Sequence, residues 1–600
     1  DDGSHICGLI MANFASLFPD LLKIGYVTVF KTPIITIGSQ VFYSQAEFDV
    51  HVAGLALQKK KIAEASYYKG LASHNAEQAK RYVAGLSDYN VTYGWTAGCD
   101  VSLRKAFGAD STDRKAWLMS YDRTLFIKYG KGVSIPSFAD FVDRELIHFI
   151  NAACRRMIPR IQDGLKESQR KVLYVGLKVW PPSKFVAGSP PTMKVFQFVG
   201  KIAHDALYHH GEVSLCDTVV KMAQTFVGAA NVPYLYPDGD FGHRSEGGND
   251  AGHPRYIKTR LNGYTHRIFS QADTVLLPHE VIDGEVGEPT FFTPIVPMIL
   301  INGGLGIGMG FSSYVPPHDP IFIIDLLMHA LDVDEPLLLL YEARPPAYWR
   351  GFTGPVEQKE DSVTASGAWE VGENGILVIT ELPPGVSVPS IVHRIEEYNA
   401  GPNAAQAAKG LPMALKEVTD DPLLINVYNV PATLTAEELE NLLLLHRKVS
   451  YNNMYLYSLE DKLKKYASTG EILAEWFEWR LALFLARLNS QIDALQKETE
   501  FLTEKMRFVS MVISGQIELR RKPMAVLNDE LAALAFRKYD GTYRHLVSMH
   551  LSSLTEEEYL RLAKQKGDAE AKLAAKREET PNGVWKAELA ALREAIEPWA

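Results

Sequence analysis

Leu481, Leu485, Leu488, Ile492, Leu495, Thr499, Leu502, Met506, Val509 and Ile513 follow one another at alternating steps of four and three. Thr499 is the only polar member, so one helical face stays apolar for more than four heptads, the pattern of a coiled-coil seam. The segment "LSSLTEEEYLRLAKQKGDAEAKLAAKREE", beginning at Leu551, predicts a returning helix, with residues 523–550 at the tip. An ordinary intramolecular helix hairpin without a partner fits the same pattern.

Toward the other end, residues 1–95 alternate apolar segments ("HICGLIMANF", "YVTVFKTPIITIG") with polar helical ones ("NAEQAKRYVAGL"), which predicts an α/β unit. "DSTDRKAWLMSYDR" and "SFADFVDRELIHFINAACRRMI" then predict helices. Three more helical patterns follow between 163 and 225, interrupted by the proline-rich loop "WPPSKFVAGSPPT". Residues 226–254 are too rich in Gly, Pro, Asn and Asp for more than short hairpins. A helix cluster followed by a turn-rich hairpin is the outline of a winged helix. From 290 to about 455, strand-like runs mixed with short helices predict a second α/β or α+β unit. The fold class expected is thus multidomain α/β and α+β, divided as 1–95, 96–135 (a helical connector), 136–265, 266–455 and 456–600.

Composition narrows this picture. A chain of 600 residues with 46% hydrophobic content can bury several cores. Its net charge of −10 argues against a surface coated in nucleic acid, while saying nothing of local patches. Cys7, Cys99, Cys154 and Cys216 are scattered without a Cys-x-x-Cys pair, which fits a reducing compartment and argues against structural zinc. No apolar run reaches the roughly 18 residues of a bilayer span, so a soluble, intracellular protein with no membrane partner is expected. Opening at "DDGSHI" without a methionine, the chain reads as a fragment.

Local chemistry concentrates in the middle. "RRMIPRIQDGLKESQRK" carries Arg155, Arg156, Arg160, Lys166, Arg170 and Lys171 against only Asp163 and Glu167, a phosphate-binding composition within an acidic chain; a solvated helix face is the alternative. In "GHPRYIKTRL", Tyr256 follows Pro254 and Arg255 and precedes Lys258 and Arg260. A phenol with a pKa near 10 becomes a useful nucleophile where cations stabilise its phenolate; a packed tyrosine beside surface charges is the plainer reading. "YHHGE" puts His209 and His210 at a helix end, where adjacent histidines cannot share a zinc ion but one can orient a proton or simply satisfy the helix terminus. "INGGLGIGMGFSS" fits neither dinucleotide nor phosphate-loop patterns. Its glycines instead allow a close backbone approach, with Ile307 as an apolar tip. Asp1 and Asp2 are paired carboxylates able to hold magnesium, or simply solvated.

Taken in order, "DDGSHICGLIMANF", "YYKGL", "DRKAWL", "DFVDRELIHF", "IPRIQDGLKESQRKVLY", "ALYHHGE", "MAQTFVG", "DAGHPRYIKTRL", "INGGLGIGMGF", "ITELP", "NNMYLY" and "VWKAELAAL" resemble the type IIA DNA topoisomerases of eukaryotic type, cellular or from large DNA viruses. The resemblance spans essentially the whole chain. It implies a DNA breakage-reunion core: the end of a Toprim domain, a winged helix, an α/β tower, and a coiled coil with a carboxy-terminal dimer gate. Tyr256 would be the nucleophile that joins a DNA 5′-phosphate, with Arg255 stabilising charge on the phosphoryl oxygens and His209 and His210 assisting, His210 being the closer. Asp2 would be one magnesium ligand, the preceding carboxylates lying outside this sequence. Ile307 would wedge into a base step, while Arg160, Lys166, Arg170, Lys171 and Lys258 would contact DNA. The implied partners are double-stranded DNA and a second copy of the chain, and ATP would be used by a domain not in this sequence. The compartment would be the nucleus for a cellular enzyme, or a cytoplasmic replication site or virion for a viral one. Departures from the family pattern include "GLASH" for "GLGTS", "AAN" for "NN" after "FVG", "FGHR" for "FGTR" and "HPRY" for "SPRY", the last two placing His243 and His253 near the tyrosine. Two rival readings remain: a non-catalytic DNA-binding and dimerisation scaffold, and a magnesium nuclease built on Asp1 and Asp2.

Overall fold

The computed structural model describes residues 2–58, 64–68, 74–129, 133–282, 284–309, 311–372, 375–401, 411–519, 522–550 and 555–599. The amino-terminal part begins with helix α1 (Asp2–Leu17), followed by short antiparallel pairings of Thr28–Phe30 with Asn90–Thr92 and of Ile35–Ile37 with Gln40–Phe42 and Ser66–Tyr67. Ser137 caps the next helical stretch through a box with Asp140; this run passes through a π-helical turn, Val142–Leu146, into α2 (Ile147–Met157). Its apolar face (Phe138, Phe141, Leu146, Ile150) closes one core with Met11 of α1 and Leu103 and Trp117 of the intervening helices.

The three helices expected between 163 and 225 are α3 (Glu167–Val179), α4 (Val195–Asp205) and α5 (Glu212–Ala223). They share a core built on Val172, Leu173, Phe198, Val199, Leu215 and Val219. Beside them lies a small antiparallel sheet of β1 (Met193–Lys194), β2 (Leu235–Asp238) and β3 (Lys258–Leu261), with β3 in the centre. A hairpin of β4 (Gly304–Gly308) and β5 (Phe311–Val315) follows. Among the described residues between 356 and 450 every strand pairing is antiparallel: a three-stranded sheet of Val356–Gln358, Ser362–Ser366 and His446–Ser450, and a four-stranded one ordered Ala368–Val371, Leu377–Glu381, Leu423–Tyr428, Ala414–Asp420. Antiparallel strands need no crossover helix, so of the two readings for this unit the structure is α+β rather than the parallel α/β that a strand–helix alternation implies.

The heptad pattern becomes α6 (Thr469–Ile513), 45 residues and about 67 Å long. Ser468 caps it by accepting from the Glu471 amide. Two helices of the same chain, α7 (Glu556–Glu578) and α8 (Pro581–Ile596), return along it. Leu502 and Val509 of the seam pack against Leu562 and Ala569, whereas Leu485 and Ile513 stay exposed. At the root, Trp585 stacks on Phe477 and Phe484 with ring centroids 5.1 and 5.0 Å away. There the buried carboxylate of Asp273 takes Arg480 at 2.6 Å and Arg487 at 3.3 Å, and Arg487 also holds Glu588 of α8. The tip, Met524–Ala533 with Arg544–Val547, has its own small core around Phe508, Leu531 and Phe536.

Candidate nucleic-acid interface and tyrosine site

A tyrosine that merely packed beside surface charges would bury its ring, but Tyr256 stands 78% exposed. The turn that carries it is held from several sides. Pro254 fixes its own φ, and the amides of Tyr256 and Ile257 donate to the His253 carbonyl at 2.8 and 3.4 Å. Ile257 is buried beneath, and Gly252 leaves it room: a Cβ there would stand 2.9 Å from Ile257 Cγ2. From α4, Val195 and Phe196 donate their amides to Ile257 and Pro254, each at 3.0 Å. The Arg255 guanidinium lies 5.7 Å over the Phe196 ring. Beyond the turn, Lys258 is exposed on β3 between Lys194 of β1 and Asp238 of β2. Like charges opposite one another cost stability; here they form a cationic edge next to the tyrosine.

Helix α4 ends at Asp205, so His209 and His210 lie in the connection to α5 rather than on the helix end the sequence predicted, and at the opposite end of α4 from Tyr256. Arg156 Nη1 sits 3.3 Å from His210 Nε2. A guanidinium only donates, so His210 accepts at Nε2. This contact groups His210 with the end of α2, not with the tyrosine turn. The same end of α2 supports the β4–β5 hairpin, because Gly306 lies so close that a Cβ would come 2.6 Å from Ile158 Cδ1 and 3.0 Å from the Met157 carbonyl. Ile307, paired with Ser312, is 60% exposed on the other face of that strand.

The basic window requires a correction. Arg160, Arg170 and Lys171, expected on DNA, are interior. Arg160 pairs with Asp461 at 2.6 Å. Arg170 forks onto Asp163 at 2.7 and 3.1 Å, and Lys171 meets Glu288 at 2.7 Å and the Ala206 carbonyl at 2.8 Å. Each is drawn in by an acid: for Arg170 it is Asp163, which is fully buried and also accepts from the amides of Leu165 and Phe292, and for Lys171 it is the buried Glu288; a carboxylate so placed needs a cation. Lys166 behaves differently. It precedes the first turn of α3 and lines a cleft of about 600 Å³ together with Lys221, Arg244, Asn249, Tyr314 and Arg447. Burial, and then the charge of Lys221, push the Lys166 ammonium below its ordinary pKa. Two cations side by side at the amino end of a helix suit an anion. Arg244 is paired with Glu381, and Arg447 donates to the Pro384 carbonyl. Sequence reasoning missed Lys221, Arg244 and Arg447, which lie outside the dense window.

Asp1 and the side chain of Asp2 lie outside the described residues. Among the described residues, no group of three or more His, Cys, Asp or Glu side chains is placed to hold a metal ion. None of the described helices is long and apolar enough to cross a membrane.

Residues 156–590 match the A-subunit family of DNA gyrase/topoisomerase IV, and residues 30–154 match the C-terminal associated domain of TOPRIM. The chain belongs to the type II DNA topoisomerases. Putative DNA topoisomerase 2, mitochondrial, of Caenorhabditis elegans is 32% identical over 99% of this chain and 52% of the relative. DNA topoisomerase 2 of Saccharomyces cerevisiae is 31% identical over 98% of this chain and 44% of its own length. The chain therefore spans about half the length of these curated relatives. The crystal structure of the Plasmodium falciparum topoisomerase II DNA-binding, cleavage and re-ligation domain superposes with a TM-score of 0.78 at 30% identity, covering 100% of this chain and 83% of that one. The mixed α/β fold with its long carboxy-terminal helix is the fold of that core.

Proposed function

We propose that this chain is the DNA cleavage and religation core of an ATP-dependent type II topoisomerase, working as a homodimer on double-stranded DNA. In this reading α3–α5 with β1–β3 form the winged helix, residues 266–455 the tower, and α6 with its returning helices the coiled coil and dimer gate. The observation that carries the reading is Tyr256, turned to solvent on a turn held by Pro254 and by the first residues of α4, with Arg255 beside it.

In the reaction, Tyr256 Oη attacks a backbone phosphorus and forms a phosphotyrosyl bond as the bond to the 3′-oxygen breaks. The phenol gives up its proton and the departing oxygen gains one; one phosphodiester has replaced another, so the bond energy is kept and the 3′-hydroxyl can reverse the step. Arg255 offsets the charge that builds on the phosphoryl oxygens. Lys258 and Lys166 hold the backbone on either side, and Ile307 enters a base step, a few kcal/mol of unstacking being repaid by wrapped contacts. His209 and His210 act from the Arg156 end of the interface. Magnesium is the ion that the family resemblance implies, with Asp2 as one ligand. The described residues do not by themselves make a site for it.

The test uses a chain carrying the complete acidic motif upstream of Asp2, end-labelled duplex and magnesium, followed by detergent. Label that enters the protein band, returns to free DNA after protease, and is absent with Tyr256→Phe supports the reading. Cut DNA without attached protein would favour the nuclease, and bound but intact DNA the scaffold.

A further inference from the structure

The loop between β2 and β3 carries an Asp–His pair that the reaction above leaves unused. His243 Nδ1 lies 2.7 Å from Asp250 Oδ2, and the His243 amide donates to Asp250 Oδ1 at 2.9 Å. A carboxylate only accepts, so Nδ1 carries a proton and Nε2 is the nitrogen left to act outward; the side chain is 54% exposed. The loop is built around this contact. Gly242 has φ +90°, and a Cβ there would stand 2.9 Å from Gly248 Cα and 3.0 Å from Asp250 Oδ1. Gly248 donates its amide to the His243 carbonyl at 2.8 Å. From just beyond the end of α5, Gln224 donates to the carbonyls of Phe241 and Gly248, both at 2.9 Å.

This loop also lies between the two halves of the interface. The Gly252 amide donates to the Asp240 carbonyl at 2.9 Å, tying the loop to the tyrosine turn. On its other side Arg244, Gly247 and Asn249 line the cationic cleft. The charges facing His243 are acidic: Asp250 and Asp240 from the loop, and Asp420 from the neighbouring sheet, which itself takes the Ser245 amide and hydroxyl. The adjacent cation, Arg244, is paired with Glu381. The hydrogen bond to Asp250, then its charge, raises the imidazole pKa above its ordinary value.

We propose that His243 is a DNA-backbone ligand: with Asp250 holding Nδ1, the protonated ring donates Nε2–H to one phosphate of the bound duplex, so that the grip on this phosphate is switched by pH. The proposal rests on the duplex-binding reading above and concerns a position where the family pattern has threonine, which cannot carry the charge. Because the histidine is charged below its raised pKa, the contact is present at low pH and lost as pH rises through that value.

The test is the salt dependence of duplex affinity, read by fluorescence anisotropy with the full chain at about pH 6 and about pH 8.5, on either side of the histidine range. One phosphate contact adds about 0.9 to the log–log slope, or about 3.5-fold in affinity over a fourfold change of salt. The parent is expected to show that extra slope at the lower pH only. His243→Thr is expected to match the parent at the higher pH and to lack the increment at the lower. Asp250→Asn is expected to move the transition to lower pH. An increment that persists in His243→Thr would belong to another histidine and overturn the proposal, as would parent slopes equal at both pH values. Tight binding by the parent, with no covalent cleavage by the chain that carries the complete acidic motif, would sink the topoisomerase reading while leaving His243 testable, whereas failure of every chain to bind duplex would sink both.

Discussion

Replacing Lys171 by Met removes a charge that solvent scarcely touches. Lys171 and Glu288 are each 2% exposed, with Nζ 2.7 Å from Oε2. Met is close to lysine in length, so little cavity forms; what is lost is the cation that makes the Glu288 carboxylate tolerable and the donor to the Ala206 carbonyl. Breaking a buried pair from one side costs about 3–5 kcal/mol, which in a core of this size lowers the unfolding temperature by on the order of 10 °C. Burial already pushes the Glu288 carboxyl above its ordinary pKa while Lys171 pulls it down, so the variant should push it higher still. A carboxyl whose folded pKa exceeds its unfolded one binds more protons when folded, and stability falls as pH rises between the two values. The deficit should therefore shrink as the buffer is taken down toward about pH 5. Adding Glu288→Leu should restore most of the loss, because an apolar pair no longer strands a charge. Thermal unfolding by circular dichroism reads these effects. Anisotropy with labelled duplex reads the other half: the salt slope should stay that of the parent in Lys171→Met and fall by about 0.9 in Lys166→Met, which should leave the melting temperature unmoved. If Lys171→Met instead unfolds within about 2 °C of the parent and loses a unit of salt slope, Lys171 faces DNA and the interior assignment is wrong.

Gly306→Ala should disturb the hairpin under Ile307, since the new methyl meets Ile158 Cδ1 at 2.6 Å and the Met157 carbonyl at 3.0 Å and only the side chain can give way easily. The expected cost is about 1–3 kcal/mol of stability together with reduced bending of a duplex labelled at both ends for energy transfer; unchanged bending would detach this glycine from the placement of Ile307. Trp585→Ala should cost about 3–5 kcal/mol, because the ring is fully buried between Phe477 and Phe484 and donates to the Ile295 carbonyl at 2.9 Å. Limited proteolysis should then cut near the start of α8 before the body, and a cleavage pattern like the parent's would show that α8 does not lock the root of α6.

What the sequence disclosed about this molecule follows the range of the interactions involved. The seam of α6 is legible because a heptad period is a local property. The returning helix is legible in the stretch beginning at Leu551, but which seam positions it covers is not: Leu502 and Val509 pack against its Leu562 and Ala569. Tyr256 is legible because the proline, the arginine and the following cations lie within a few residues, although its exposure depends on amides contributed by α4. The basic window misleads for the opposite reason. Its charge density is local, but the fates of Lys171 and Arg160 are decided by acids far along the chain: Glu288 lies 117 residues from Lys171, and Asp461 lies 301 residues from Arg160. A cue was nevertheless present. Arg170 and Lys171 open the run "RKVLYVGLKV", and α3 buries Val172, Leu173, Val175, Gly176 and Val179 with them, so its inner length has little room for a solvated face. A helix apolar on nearly every side is a buried helix, and a cation within it must find a buried acid. Lys166 precedes the first turn of that helix and escapes the constraint, which is why the residue just before the apolar run, rather than those inside it, is the one that reaches the cleft.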